Sequence, residues 1–286
     1  MIRIDLQRVR AGALFALLAL ASEPALAAAS TGDGEFTSRG VTMPVATAMA
    51  FTGKSTLDPK KDVIVVAISN GDFRADWFAN YVDRRRAVER RMKDNETYVV
   101  YLEFATDGKY LGNSYYFRQG NNCGYCGFGA DSTVKRVNNR MVGTLKMKDE
   151  ARTVNVKLDV PILSDDHGAA LPPDGGAPGK AYLAYHDALV KRDAPALLPL
   201  MSTENREFLE KAVSKGRTAA ALKQIAKEHP DKTLRITRGY AKGNQAVLLV
   251  EGETEIMRLA GEVTLVNESG KWRVDDELMS VVLNTK

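Results

Sequence analysis

The residues best suited to acid–base chemistry are Tyr182, His186, Tyr240 and Asp276. A proton-transfer site needs a carboxylate or imidazole facing a hydroxyl or acid that can donate to a developing oxyanion. His186 lies one helical turn from Tyr182, and Asp276 shares strand parity with Trp272 and Val274, so the four could line one pocket. The alternative is that His186 packs against a sheet with an ordinary hydrogen bond. Cys123 and Cys126 form a second group, in the string Asn122-Cys123-Gly124-Tyr125-Cys126-Gly127. An oxidising compartment would pair them as a disulfide. A redox dithiol is the sharper alternative, but reactive CxxC pairs sit at helix starts, and Gly120, Gly124, Gly127 and Gly129 read as a loop. Neither His186 nor His229 stands at ligand spacing to the cysteines, so no metal is expected. Glu251, Glu253 and Glu255 would share one face of a straight strand, but Gly252 suggests a turn and solvated charges. The sequence holds no serine-hydrolase elbow, HExxH helix, phosphate loop or dinucleotide fingerprint, and no cofactor is expected.

The third group is basic. Trp77, Tyr81 and Val88 recur at helical spacing between Gly71-Asp72 and Asp94-Asn95, and Arg84, Arg85, Arg86, Arg90, Arg91 and Lys93 wrap the same segment with only Asp83 and Glu89 to pair them. A solvated helix whose arginine stems cover apolar surface is one reading. Contact with an acidic protein partner through these arginines and Trp77 is the other.

Strands must position most of these groups. Val154, Val156, Leu158, Val160 and Ile162 alternate with polar residues, as a half-buried strand does. Tyr98, Val100, Leu102 and Phe104 alternate likewise, and Asp107-Gly108 offers a hairpin turn into Tyr110 to Phe117. Met43, Val45, Met49 and Phe51 fit one face of an early strand, Val63 to Ile68 is a continuous apolar run, and Met141 to Met147 adds another strand. Many short strands with Gly and Asn turns predict an all-β, immunoglobulin-like sandwich over residues 28–163 with one inserted helix. Pro and Gly cluster over 164–179 as a linker. From residue 180 to 286 helices come first: one around Tyr182 to Leu189, one opened by Asp193-Ala194-Pro195, and others at Phe208 to Val213 and Leu222 to Ala226. Strands at Leu234, Ala246 to Val250, Ile256 to Val266 and Trp272 then follow, an α+β order.

Composition sets the compartment. Arg3, Arg8 and Arg10 precede the apolar run Ala11 to Ala21, and Ala25-Leu26-Ala27 follows, which is the order of a Sec-type bacterial signal peptide cut after residue 27. The protein is expected in the periplasm or outside the cell. No later segment carries eighteen consecutive apolar residues, so no stable membrane anchor is expected. Of the +4 formal charge the signal supplies +1, and so weak a remaining excess does not suit a nucleic-acid binder.

The segment Ala181-Tyr182-Leu183-Ala184-Tyr185-His186-Asp187-Ala188-Leu189-Val190-Lys191-Arg192-Asp193, with Gly270-Lys271-Trp272-Arg273-Val274-Asp275-Asp276 as a closing strand, resembles the NTF2-like (cystatin-like, SnoaL-like) cone fold over about residues 178 to 286. The resemblance implies a sheet wrapping helices into a cone whose mouth can hold a ligand. The first half is similar to uncharacterised secreted bacterial β-sandwich proteins. The expectation is an exported, non-catalytic binding protein engaging another protein, of the kind an inhibitor or immunity factor against a secreted toxin would be. The alternative is a carrier of a small apolar ligand, or an isomerase or dehydratase, working in the cone.

Overall fold

The computed structural model describes residues 32–38, 40–73, 78–92, 96–117, 123–127, 129–214, 222, 226 and 229–282, with backbone alone at Ser38, Arg91, Phe117, 123–127, Phe208 and 212–214. Residues 1–31, which include the expected signal peptide, and Trp77 lie outside the described residues. No described helix is long and apolar enough to cross a membrane.

The chain is rich in strands and has few helices. In its first half β1 (Asp33–Ser38), β2 (Val41–Pro44), β8 (Asp131–Ser132), β10 (Arg140–Lys148) and β11 (Arg152–Pro161) form an antiparallel sheet in the order β2-β1-β11-β10-β8, with β9 (Lys135–Val137) also on β10. A second sheet is a meander of consecutive strands: β3 (Thr47–Lys54), β4 (Asp62–Ser69), β5 (Tyr98–Phe104), β6 (Tyr110–Phe117) and β7 (Cys123–Gly127). The two sheets close on one core, where Phe36, Met141, Leu145, Val156 and Leu158 of the first meet Ile64, Val66, Ile68, Val100 and Leu102 of the second. This is a sandwich. An immunoglobulin sandwich distributes its strands as ABED and CFG; five consecutive strands in one sheet do not show that order.

The continuous apolar run of β4 has a simple cause, because both faces of the strand are covered. Ile64, Val66 and Ile68 enter the sandwich core, while Val63, Val65 and Ala67 pack on the other side against Phe78, Tyr81, Ala87, Val88 and Met92. The last three belong to or follow helix α1 (Arg84–Arg91), started by Asp83, whose side chain accepts from the Arg86 amide. Met43, Val45, Met49 and Phe51, expected on one strand face, divide instead: the chain changes sheets between β2 and β3, sending Met43 and Val45 into the sandwich core and Met49 and Phe51 to the α1 side.

The second half places α2 (Gly176–Lys191), α3 (Ala194–Leu197), a 3-10 turn at Leu198–Leu200 and α4 (Thr203–Ser214) beside an antiparallel sheet. Its order is β12 (Ala169–Ala170), β13 (Thr233–Lys242), β14 (Gln245–Glu253), β15 (Arg258–Glu268) and β16 (Lys271–Val281). Tyr182, Leu189, Leu197, Leu248, Val263, Leu265 and Val274 share the core between helices and sheet. Asp193 caps α3 by accepting from the Ala196 amide. The Pro/Gly-rich stretch expected as a linker is partly folded: β12 joins the sheet, and α2 begins at Gly176, after Gly175 at φ +74°. Gly252 is not a turn. It lies inside β14, where a Cβ would come within 2.4 Å of the Thr233 carbonyl oxygen and 2.5 Å of Pro230, and Glu251 and Glu253 flank it on one straight strand.

Candidate functional site

Two β-bulges decide which polar side chains enter the helix-covered face of the second sheet. On β16 the register slips between Thr264, opposite Asp276, and Leu265, opposite Val274, so that Asp275 is an extra residue. One extra residue exchanges the faces of everything beyond it. Val274 points into the core, but Glu277 rather than Asp276 follows it there. The slip between Ile236 and Arg238 on β13 does the same, so Ala241 packs inward and Tyr240 turns outward.

The expected grouping of Tyr182, His186, Tyr240 and Asp276 therefore divides. Asp276 accepts from the Tyr81 hydroxyl at 2.6 Å, on the side facing the first half. Tyr240 stands beside His167, ring centroids 6.0 Å apart. His186 donates from Nε2 to the Pro230 carbonyl at 2.7 Å, an ordinary backbone bond, and its burial lowers its pKa. Tyr182 alone stays at the centre, where its hydroxyl donates to Glu277 Oε1 at 2.6 Å. His229 Nε2 donates to the other oxygen, Oε2, at 2.5 Å. Burial, then the Glu277 charge, push the Tyr182 phenol well above its usual value, which keeps it a neutral donor. Glu277 and His229 are both nearly inaccessible. The network thus ties α2, β16 and the turn before β13 together, with Tyr185 stacked on Tyr182 at 6.4 Å. Acid, imidazole and phenol meet here in an otherwise apolar core. In the sequence Glu277 does not stand out and His229 is weighed only as a metal ligand; the run Asp275-Asp276-Glu277, which breaks the alternation of β16, is the available signal.

The arginines of α1 are largely spent inside the protein. Arg84 is 2% exposed. Its Nη1 donates to Asp165 Oδ1 at 2.7 Å, its Nε to the Phe78 carbonyl, and its Nη2 to the carbonyls of Ala79 and Ser164, while Asp165 also accepts from Thr52. Arg85 donates to Glu103 at 2.9 Å and stacks over Tyr101 at 4.8 Å. Burial raises the Glu103 carboxyl, but bonds from Thr56 and Ser55 and the Arg85 charge outweigh it, and the net shift is downward. Arg86 reaches the Met279 carbonyl of β16. Arg90 is exposed. The Arg91 side chain lies outside the described residues. The basic helix is therefore a wedge between the sandwich and the second sheet, and not a uniformly solvated face.

Cys123 and Cys126 fall on the edge strand β7 and not in a loop. Five residues of β7 span what three residues of β6 span, from Tyr115 opposite Cys123 to Asn113 opposite Gly127. The cysteine side chains lie outside the described residues. No cluster of His, Cys, Asp and Glu suited to a metal occurs among the described residues.

One end of the second sheet forms a groove of about 400 Å³, lined by Leu234, Leu259 and Val282 and by the ends of β13, β14 and β15. Arg235 pairs with Glu251 at 2.5 Å and Arg258 with Glu253 at 3.7 Å. The first pair holds the Glu251 carboxyl below its usual range. Ile256, in the turn from β14 to β15, is 82% exposed, and Val281 and Val282 are exposed at the end of β16.

No family model and no curated protein matches the sequence. A solved NTF2-like protein of unknown function from Silicibacter pomeroyi is similar to this chain at 20% identity, with a TM-score of 0.28, covering 37% of this chain and 93% of that one.

Proposed function

We propose that this chain is an exported, non-catalytic binding protein that engages another protein through the groove end of its second sheet. The observation that carries the reading is Ile256, an aliphatic side chain 82% exposed in the turn that leads into β15, at the sheet end where the exposed Val281 and Val282 run alongside Leu259 and Arg258. Apolar surface gathered at one place and rimmed by polar groups is the composition of a protein-binding patch. Here the rim is the Arg235–Glu251 and Arg258–Glu253 pairs. An inhibitor or immunity role toward a secreted toxin suits such a surface on an exported chain. The test is the affinity of the purified protein for the partner that copurifies from the periplasm. Ile256→Asp with Val282→Asp is expected to weaken it at least about tenfold, the effect of removing roughly 1.4 kcal/mol. Unchanged affinity overturns the assignment of this surface.

The Tyr182, Glu277 and His229 network favours a second reading, in which the helix-covered core of an NTF2-like unit takes a small, mostly apolar ligand that bonds to Glu277. Native mass spectrometry of the protein as purified separates the two. The first reading expects the bare mass, whereas an adduct lost on Glu277→Gln supports the second.

A further inference from the structure

Where α1 meets the outer face of the second sheet, the seam is built around a carboxylate. Glu262, on β15, is 4% exposed. Its Oε2 accepts from the backbone amides of Val82, at 2.9 Å, and Asp83, at 3.2 Å, the two residues that lead into α1. Its Oε1 is buried without a hydrogen-bond partner among the described residues, and so is the hydroxyl of Thr264, two residues along the same strand face. The surroundings offer little compensation. Leu249 of β14 and Leu278 of β16 lie opposite Glu262 in the sheet register. From the α1 side Asp83 opposes its charge and Arg86 favours it, but Arg86 is bonded to the Met279 carbonyl. Asp276 of β16, opposite Thr264, is held by Tyr81. Glu89 on α1 adds another half-buried carboxylate, raised to about 7 by its own burial and by Asp83.

We propose that Glu262 is a proton-controlled latch, which fastens the 81–86 segment to β15 and β16 when protonated and loosens it when ionised. An ionised carboxylate with one oxygen sealed from water and unpartnered destabilises the closed seam, and protonation removes that cost. Burial, the dominant cause, raises the Glu262 pKa to about 7, which places the transition in the range an exported protein meets. Loosening would free the amides of Val82 and Asp83 from their acceptor and part Arg86 from β16, while the two cores remain folded.

Amide hydrogen exchange on the full chain tests this directly. After correction for the intrinsic pH dependence of exchange, protection of Val82 and Asp83 is expected to fall at least tenfold from pH 5.5 to 8.5, while Val65 in β4 and Leu248 in β14 stay protected. Glu262→Gln is expected to flatten the profile. Glu262→Asp, which retracts the carboxylate from both amides, is expected to lower protection at either pH and serves if the glutamine variant fails to fold. A flat wild-type profile, a parallel loss at Val65 and Leu248, or a profile removed by Glu89→Gln and kept by Glu262→Gln overturns the latch.

Discussion

Asp276 and Glu277 are neighbours in sequence and stand on opposite faces of β16, and their surroundings differ in a way that separates structure from switching. Glu277 faces the helices, with one oxygen bonded to Tyr182 and the other to His229. Asp276 faces α1, beside a carboxylate at Glu262 that has one oxygen satisfied and one not. A closed buried network fixes geometry, because every donor and acceptor would be orphaned by any movement. A half-satisfied one leaves two states close in energy. The comparison teaches that a polar residue inside a core is informative chiefly through what remains unpaired.

The hardest blow to this contrast should come from Glu277→Ala. It leaves the Tyr182 hydroxyl and the His229 ring buried without their acceptor, and removing one member of a buried charged network costs about 3–5 kcal/mol. A urea titration followed by a signal from the second half should show that loss, with the sandwich transition nearly unmoved. A loss below about 1 kcal/mol would mean that the network is solvated and open to ligand. Arg84→Lys should rank next, at about 2–3 kcal/mol, because an ammonium cannot reproduce the planar fork that reaches Asp165 and the carbonyls of Phe78, Ala79 and Ser164 together. Thermal melting of that variant measures it.

How far the sequence could reveal this arrangement depended on periodicity. The strands of the sandwich follow from alternation in β11 and β5 and from Asp107-Gly108, whose glycine takes φ +94° at the β5 to β6 turn. The Asp193 cap was equally local. The site was not. Alternation assumes a regular strand, and the extra residues at Asp275 and between Ile236 and Arg238 exchange faces without changing composition, which turned both Asp276 and Tyr240 outward. A run of arginines reads as solvated because their acceptors are remote: Glu103 lies 18 residues from Arg85, and Met279 lies 193 residues from Arg86. Gly252 looked like a turn because close packing against Pro230 leaves no local mark.

The seam should give an effect of similar size, but one that depends on pH. Glu262 has a folded pKa raised from 4.5 to about 7. The folded state therefore holds its proton between those values while the unfolded chain does not. Stability from this group is full below about 4.5 and is lost as pH rises through 7, with a span of about 3 kcal/mol. Glu262→Gln should thus gain on the wild type above pH 7 and lose the advantage below 4.5. A wild type whose stability climbs steadily from pH 5 to 8 would contradict the account.

Smaller in effect is the edge of the second sandwich sheet. Cys123 and Cys126 are predicted to be joined by a disulfide, and the extra residues of β7 give that short bridge a bulge to hold. A loop of about four residues yields roughly 2 kcal/mol on the chain-entropy model. Replacing both cysteines with Ser should cost that much or less and leave partner affinity unchanged. Free-thiol titration of the unfolded protein as exported checks the pairing, and two reactive thiols would refute it.

The smallest effect on folding should belong to Arg90, and it bears most on whether α1 meets a partner. Arg84, Arg85 and Arg86 bind groups of the protein itself, whereas Arg90 is exposed. Arg90→Glu should change stability by less than about 0.5 kcal/mol, as substitutions on open surface do. Arg86→Glu should cost more, since it breaks the bond to Met279 and sets another carboxylate beside Glu262. If α1 docks an acidic partner, Arg90→Glu alone should slow association, and added salt should slow the wild type similarly, because exposed charges are screened over about 10 Å at 0.1 M. An unaltered on-rate with Arg90→Glu, alongside weakened binding with Ile256→Asp, would confine α1 to its role as the wedge between the two halves and leave recognition to the groove end of the second sheet.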